Sequence, residues 1–424
     1  MLDANFVSEN RQLVEEGLRL KGIKDLEPLG RAVALNEERK KLTTEVDTLR
    51  HEGKELSAKI AAAMKAKAPE GETLKVRSKE IKEREKDIAK RQGDVEKELE
   101  SVLLGLPNLP HKEAIKGGPE ANTVRRTWGA RKTYDFEPKK HEELCDKLAL
   151  VDLAGRGVKV AGSGFVLWRG QGAKLERSLI NWMLDLHVKE HGYVEVSPPF
   201  VVNSKAMTGT GQLPKFSEEL YQIERDDLWL IPTAEVPVTN LHADEIVPNG
   251  DLPITYCAYT PCFRREAGAA GKMTRGLRRV HQFDKVELVR FVAPETSDAE
   301  HQKLLGHCTK VLELLGLEYR ILELASGDTS FSAARCYDIE CWAPASQEWL
   351  EVSSVSTFTD FQARRAGLKY RDASGKARLL HTLNGSGVAC PRVILCLLET
   401  YQQKDGSVVV PEVLRPYVGR DRLG

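Results

Sequence analysis

Two series of apolar residues recur at seven-residue spacing near the start of the chain. The first runs Leu35, Leu42, Leu49 and Leu56, with Val46 and Ile60 at intermediate positions. The second runs Leu74, Ile81, Ile88, Val95 and Val102, joined by Leu99. A seven-residue apolar period keeps one helix face against a partner, so each series predicts a long helix and the pair a coiled coil. Between them Ala68-Pro69-Glu70-Gly71 is a turn signal, which makes the pair an antiparallel hairpin over about residues 29–104. Gly105-Leu106-Pro107-Asn108-Leu109-Pro110 ends it, because two prolines stop helix continuation. Each helix would be about 45 to 55 Å long. Only the seam of so thin a hairpin can be buried, so the arm is useful chiefly for reaching something distant.

After a linker near Gly117-Gly118-Pro119 the pattern changes. Alternating runs at residues 251–258, 280–292 and 319–324 predict strands, and apolar residues at helical spacing over 175–190 and 388–402 predict helices. The expected fold is α+β: an arm domain over 1–110, then a second domain over 111–424 built on an antiparallel sheet flanked by helices.

The stretch from Cys262 to Glu287 is the most informative part of the chain. Two alternating runs flank a Gly-rich basic loop, which reads as a β-hairpin with a long tip. Arg264 and Glu266, two apart, would share one face of the first strand, and Phe283, Lys285 and Glu287 one face of the second. Between Arg264 and Lys285 seven basic residues (264, 265, 272, 275, 278, 279, 285) stand against two acidic ones (266, 284), in a chain with 63 of each sign. Such a local excess calls for an anion. Cations, carboxylates and an aromatic ring together suit a nucleotide plus a small amino-bearing molecule.

Composition excludes more than it assigns. Zero net charge gives no global argument for a polyanionic partner, and the arm is itself nearly balanced, with 18 basic and 16 acidic residues from Arg31 to Glu100. The first ten residues carry Asp3 and Glu9 and no basic region, and no run of about 18 apolar residues exists, so secretion and membrane spanning are disfavoured and a cytoplasmic protein is expected. The eight cysteines show no Cys-x-x-Cys; the pairs 257/262 and 336/341 read as buried thiols, so no zinc is expected.

The 262–287 stretch resembles motif two of class II aminoacyl-tRNA synthetases, and Arg275 to Glu287 resembles seryl-tRNA synthetases in particular. The resemblance extends along the chain through residues 1–3, 208–216 (Thr-Gly-Thr-Gly-Gln-Leu-Pro-Lys-Phe), 232–236, 351–354, 360–365 (Asp-Phe-Gln-Ala-Arg-Arg), 384–387 and 411–417. It implies ATP-dependent activation of L-serine and its transfer to tRNA(Ser), with tRNA(Sec) left open, by a homodimer whose arm grips the long variable arm of tRNA. Motif one, about residues 175–199, would form the dimer interface.

The resemblance also implies roles. Arg264 and Arg392 would be catalytic, Arg264 bridging the serine carboxylate and the α-phosphate and Arg392 meeting the terminal phosphates. Thr233, Ala234, Glu235, Arg264, Glu287 and Ser386 would bind serine. Arg264, Arg265, Glu266, Val280, Phe283, Glu351, Val352, Ser353, Ser354 and Arg392 would bind ATP, with Phe283 stacked on adenine and Glu266 accepting from its amino group. Glu351 and Ser354 would hold magnesium (Mg2+), for which hard oxygen ligands are suited. Val355, Thr357, Gly164, Pro391 and Val393 depart from the usual family pattern, and none carries a role. Two rivals stand beside this reading: an amino acid:carrier-protein ligase, and an inactive coiled-coil interaction paralogue.

Overall fold

The computed structural model describes residues 1–66, 69–267 and 276–424. Ala68 of the expected turn with Lys67 before it, and Lys272 and Arg275 of the basic loop with its glycine-rich tip, lie outside the described residues. The described chain forms two compact units, Met1–Pro107 and Asn108–Gly424. No helix among the described residues is long and apolar enough to cross a membrane.

The first unit holds α1 (Ala4–Glu9), α2 (Arg11–Leu20), α3 (Glu27–Lys65) and α4 (Glu70–Gly105). At about 1.5 Å per residue, α3 and α4 are about 58 and 54 Å long. Leu35, Val46 and Leu49 of α3 and Ile81, Val95 and Leu99 of α4 are buried in the seam, as the heptads require, while Leu42, Leu56, Leu74, Ile88 and Val102 are half-buried. Glu70 and Gly71 belong to α4 rather than to the turn. The balanced charge is explained across the seam: Arg31 pairs with Glu98, Arg50 with Glu85 at 3.1 Å, Arg84 with Glu45 at 2.6 Å and Arg91 with Glu38 at 2.6 Å. Exposed pairs of this kind contribute about 0–1 kcal/mol each, so they favour one register more than they add stability. The heptads did not foretell α1 and α2, which close the base of the hairpin with Val7, Val14 and Leu18 buried.

The second unit is built on an eight-stranded sheet. Its strands are β1 (Thr123–Trp128), β2 (Val194–Glu195), β3 (Ile254–Phe263), β4 (Gln282–Val292), β5 (Tyr319–Glu323), β6 (Arg335–Ala343), β7 (Glu348–Thr359) and β8 (His381–Ala389), in the spatial order β1-β5-β6-β7-β8-β4-β3-β2. Every neighbouring pair is antiparallel except the edge pair β2 and β3, which is parallel. Helices α5 (Gln171–Lys189), α6 (Ser297–Leu315) and α8 (Cys390–Tyr401) share one core with Val286, Leu288, Ile339, Cys341, Val355 and Leu383 of the strands. Side chains alternate along a strand, so Phe283, Lys285 and Glu287 of β4 point to the opposite face. There Val289 and Phe291 pack with Ala234, Val238 and Ala363, the last from the short helix α7 (Phe361–Ala366), and the rest of that face is the floor of a cleft.

All eight cysteines are buried and none is in a disulfide. No group of three or more His, Cys, Asp or Glu residues among the described ones could hold a metal ion.

Candidate active site

The cleft has a volume of about 520 Å³ and is lined, among the described residues, from segments 210–220, 232–235, 264–266, 277–285, 330–332, 351–358 and 384–392. One end is a hydrogen-bonded cluster. Lys285 Nζ donates to Thr233 Oγ1 at 2.9 Å and pairs with Glu287; Thr233 Oγ1 in turn donates to Glu287 Oε2 at 3.1 Å. The other Glu287 oxygen is buried and has no partner among the described residues. Glu287 faces Ser386 across the β4–β8 ladder.

Glu235, beside this cluster, is held differently. Gln362 Nε2 donates to its Oε1 at 2.6 Å and Asn384 Nδ2 to its Oε2 at 2.8 Å. Both donors are neutral, so Glu235 has a fixed orientation and no bonded cation. Burial first, then the nearby Glu287 charge, pushes its pKa up to about 7, against the pull of Gln362, Lys285 and Arg264. The cluster is thus a polar recess with one carboxylate compensated and one not.

The other end carries the cations and the ring. Arg264 Nε donates to Pro232 O at 3.3 Å, and its guanidinium lies over the Phe283 ring with 5.1 Å to the centroid. Its two terminal nitrogens have no partner among the described residues. Arg392 Nε donates to Arg278 O at 3.0 Å and its Nη1 to Glu351 O at 2.7 Å, with the Glu351 carboxylate 3.5 Å away. Arg392 sits in the first turn of α8, where the helix end adds positive potential. Glu266 Oε2 accepts from Arg279 Nη1 at 2.7 Å.

Several expectations need correction. β3 ends at Phe263, so Arg264 and Glu266 do not share a strand face; Glu266 has φ +50°, and this turn brings its carboxylate to the cleft. Asn384-Gly385-Ser386-Gly387 lies within β8, and the helix starts only at Cys390. Neither Arg265 nor Ala234 lines the cleft: the Arg265 side chain donates to Glu218 O at 2.9 Å, and Ala234 is fully buried in the core beside Val238. The apparent basic excess is also smaller than it looked. Arg278 is bound by Glu348 at 2.6 Å and Glu142 at 3.0 Å, Arg279 by Glu266, and Lys285 by Glu287. Among the described cations that line the cleft, Arg264 has no carboxylate partner and Arg392 has only the looser contact with Glu351 at 3.5 Å.

Glu351 and Ser354 are three apart, which on a regular strand puts them on opposite faces. The β6–β7 pairing jumps at Val352, where Ile339 meets Ser353 but Glu340 meets Glu351. This bulge brings both residues into the lining, together with Val352 and Ser353. Asp338 lies across the ladder from Ser354, and burial, then the charge of Glu351, holds its carboxyl well above the usual carboxylate range. Hard oxygen donors beside two crowded carboxyls fit a divalent cation.

Sequence reasoning left Lys285, Asn384 and Gln362 without roles. The 208–216 and 360–365 motifs were the available signal: Thr210, Gly211, Gln212 and Phe216 line the cleft, and Gln362 lies beneath it.

Comparison with known proteins gives one answer along the whole chain. Residues 1–110 match the seryl-tRNA synthetase N-terminal domain, and residues 216–401 match the tRNA synthetase class II core domain (G, H, P, S and T). The chain is 48% identical over 427 residues to the serine–tRNA ligase of Thermomicrobium roseum, covering 100% of this chain and 95% of that one. It is 50% identical over 426 residues to that of Citrifermentans bemidjiense, covering 99% of each. The crystal structure of the Pyrococcus horikoshii seryl-tRNA synthetase complexed with ATP superposes with a TM-score of 0.93 at 34% identity, covering 100% of this chain and 99% of that chain.

Proposed function

The chain belongs to the seryl-tRNA synthetase family and is a serine–tRNA ligase, and from that premise we propose how its residues divide the work. The observation that carries the reading is the contrast between the two ends of the cleft: an uncompensated buried carboxylate at one, unpartnered guanidinium nitrogens over an aromatic ring at the other.

The serine carboxylate attacks the α-phosphate of ATP, pyrophosphate leaves, and the terminal ribose of tRNA then attacks the seryl carbonyl and releases AMP. Neither step asks much acid–base work of the protein; placement and charge stabilisation dominate. Glu235 receives the serine ammonium, because its own bonds come only from neutral amides. The unpartnered oxygen of Glu287 accepts the serine hydroxyl, while Lys285 and Thr233 hold that carboxylate in place. Arg264, with both terminal nitrogens available, spans the serine carboxylate and the α-phosphate, for which a planar fork is suited. Phe283 stacks on adenine, the second oxygen of Glu266 accepts from the adenine amino group, and Arg392 meets the terminal phosphates. Glu351 and Ser354 would hold Mg2+, which when bound neutralises phosphate charge.

The arm of residues 29–104 would bind tRNA(Ser). Lys54, Lys59, Lys79, Lys82 and Lys86 are exposed and unpaired among the described residues, which leaves them for phosphates. Charging of tRNA(Sec) by the same route, a cytoplasmic location and a homodimer belong to the same reading. For the dimer, α5 and the short edge strand β2 present exposed Val188 and Val194. Serine-dependent ATP–pyrophosphate exchange followed by charging of tRNA(Ser) tests the whole. Exchange stimulated equally by other amino acids, or exchange without charging, would overturn it.

A further inference from the structure

We propose that Gln362 is a positioning residue for serine recognition: its side-chain amide holds the Glu235 carboxylate in the orientation that receives the substrate ammonium. The proposal rests on the reading of Glu235 given above. Gln362 is fully buried, does not line the cleft, and cannot touch serine. Any effect it has must pass through Glu235.

Its orientation is determined by three neighbours. Nε2 donates to Glu235 Oε1 at 2.6 Å and to Thr210 O at 3.4 Å, while Oε1 accepts from Thr382 Oγ1 at 2.7 Å. A flipped amide would set its carbonyl oxygen against a carboxylate and a backbone carbonyl, neither of which can donate. Thus α7, the 208–216 segment and β8 converge on one amide, whose free choice is a single direction. This gives Asp-Phe-Gln-Ala-Arg-Arg, a motif with no chemical role so far, a place in the reaction.

The chemistry of the clamp is matched to a cationic ligand. A lysine or arginine at this position would cancel the charge of Glu235; Gln362 and Asn384 orient the carboxylate without doing so. The charged groups facing Glu235 are Glu287 and Lys285 from β4 and Arg264 from the end of β3. Glu287 and burial favour the protonated form, while Lys285, Arg264 and the Gln362 bond favour the ionised one. Ammonium binding needs the ionised form. Losing the Gln362 donor raises the proton affinity of Glu235, so binding then requires a higher pH.

The test is full-length Gln362→Met in ATP–pyrophosphate exchange between pH 6 and 9, with serine and ATP varied separately. Methionine keeps the volume and removes the amide. The serine KM should rise about 10- to 100-fold, as for loss of a bond to a charged group. The ATP KM should stay as it was, and the acid limb of kcat/KM for serine should move to higher pH, so that the defect narrows as pH rises. If Gln362→Met does not fold, Thr382→Val carries the test: it leaves the amide and frees its rotation, and should move the same limb in the same direction by less. A proportional rise in both KM values, or a fall in kcat with the acid limb unmoved, would reduce Gln362 to a packing residue. Glu235→Gln separates the two levels of inference. If it leaves the serine KM unchanged, the reading of Glu235 itself falls; if it removes serine activation while Gln362→Met and Thr382→Val behave as wild type, only the positioning role falls.

Discussion

Glu235→Gln should stabilise the free protein at alkaline pH while destroying serine activation. Burial, with Glu287 second, lifts the Glu235 carboxyl from an ordinary 4.5 to about 7. At about 1.4 kcal/mol per pH unit, ionising it in the fold costs about 3 kcal/mol more than in the unfolded chain. The sign follows from the raised value: the cost is absent below 4.5, accrues between 4.5 and 7, and is complete above 7, where wild-type stability is lowest from this group. Glutamine never ionises and avoids the cost. It also has one acceptor where Glu235 uses two, so the Asn384 or Gln362 N–H loses its bond, at about 1–2 kcal/mol. The net gain at pH 8 is therefore about 1–2 kcal/mol, or a few degrees in Tm, and it should vanish or reverse near pH 5. Calorimetry of both proteins at the two pH values reads this directly, and exchange kinetics at pH 8 should show serine dependence lost. Equal destabilisation at both pH values would refute the argument that Glu235 is an uncompensated buried charge awaiting a cation.

Replacing residues 29–104 by a short linker should leave serine-dependent exchange largely intact and abolish tRNA charging; charging near the wild-type rate would contradict the role of the arm. Arg264→Ala should slow adenylate formation about 100- to 1000-fold, the usual effect of removing one contact made to developing charge, and single-turnover measurement of the first step would reveal a smaller loss. Specificity constants in exchange should follow the order serine, threonine, alanine. A site built around a hydroxyl rejects the analogue lacking it by about 10⁴ to 10⁵, whereas an extra methyl is excluded by only about 1–3 kcal/mol. Alanine activated better than threonine would rule out Glu287 as the hydroxyl acceptor.

The arm was legible in the sequence because its determinants are local. Within one helix the seven-residue spacing alone decides which residues share a face, so Leu35, Leu49, Ile81 and Val95 could be placed in a seam before any partner was known. Alternation likewise marked residues 280–292 and 319–324 as strands, which the structure forms over 282–292 and 319–323, and put Phe283, Lys285 and Glu287 on one side. Motif resemblance then brought in most of the residues now found around the cleft. Partnering was not legible. That Arg278 is held by Glu348 and Glu142 while Arg264 keeps its terminal nitrogens, or that Glu235 is bound only by the amides of Gln362 and Asn384, depends on groups tens to hundreds of residues apart in the chain. The facing of Glu351 and Ser354 depends on a bulge at Val352, a property of the ladder with β6 and not of the strand's own residues. Charge compensation and strand register arise between segments, so spacing along one segment carries no information about them; the elements were written in the sequence, and the electrostatics of the site came only with their assembly.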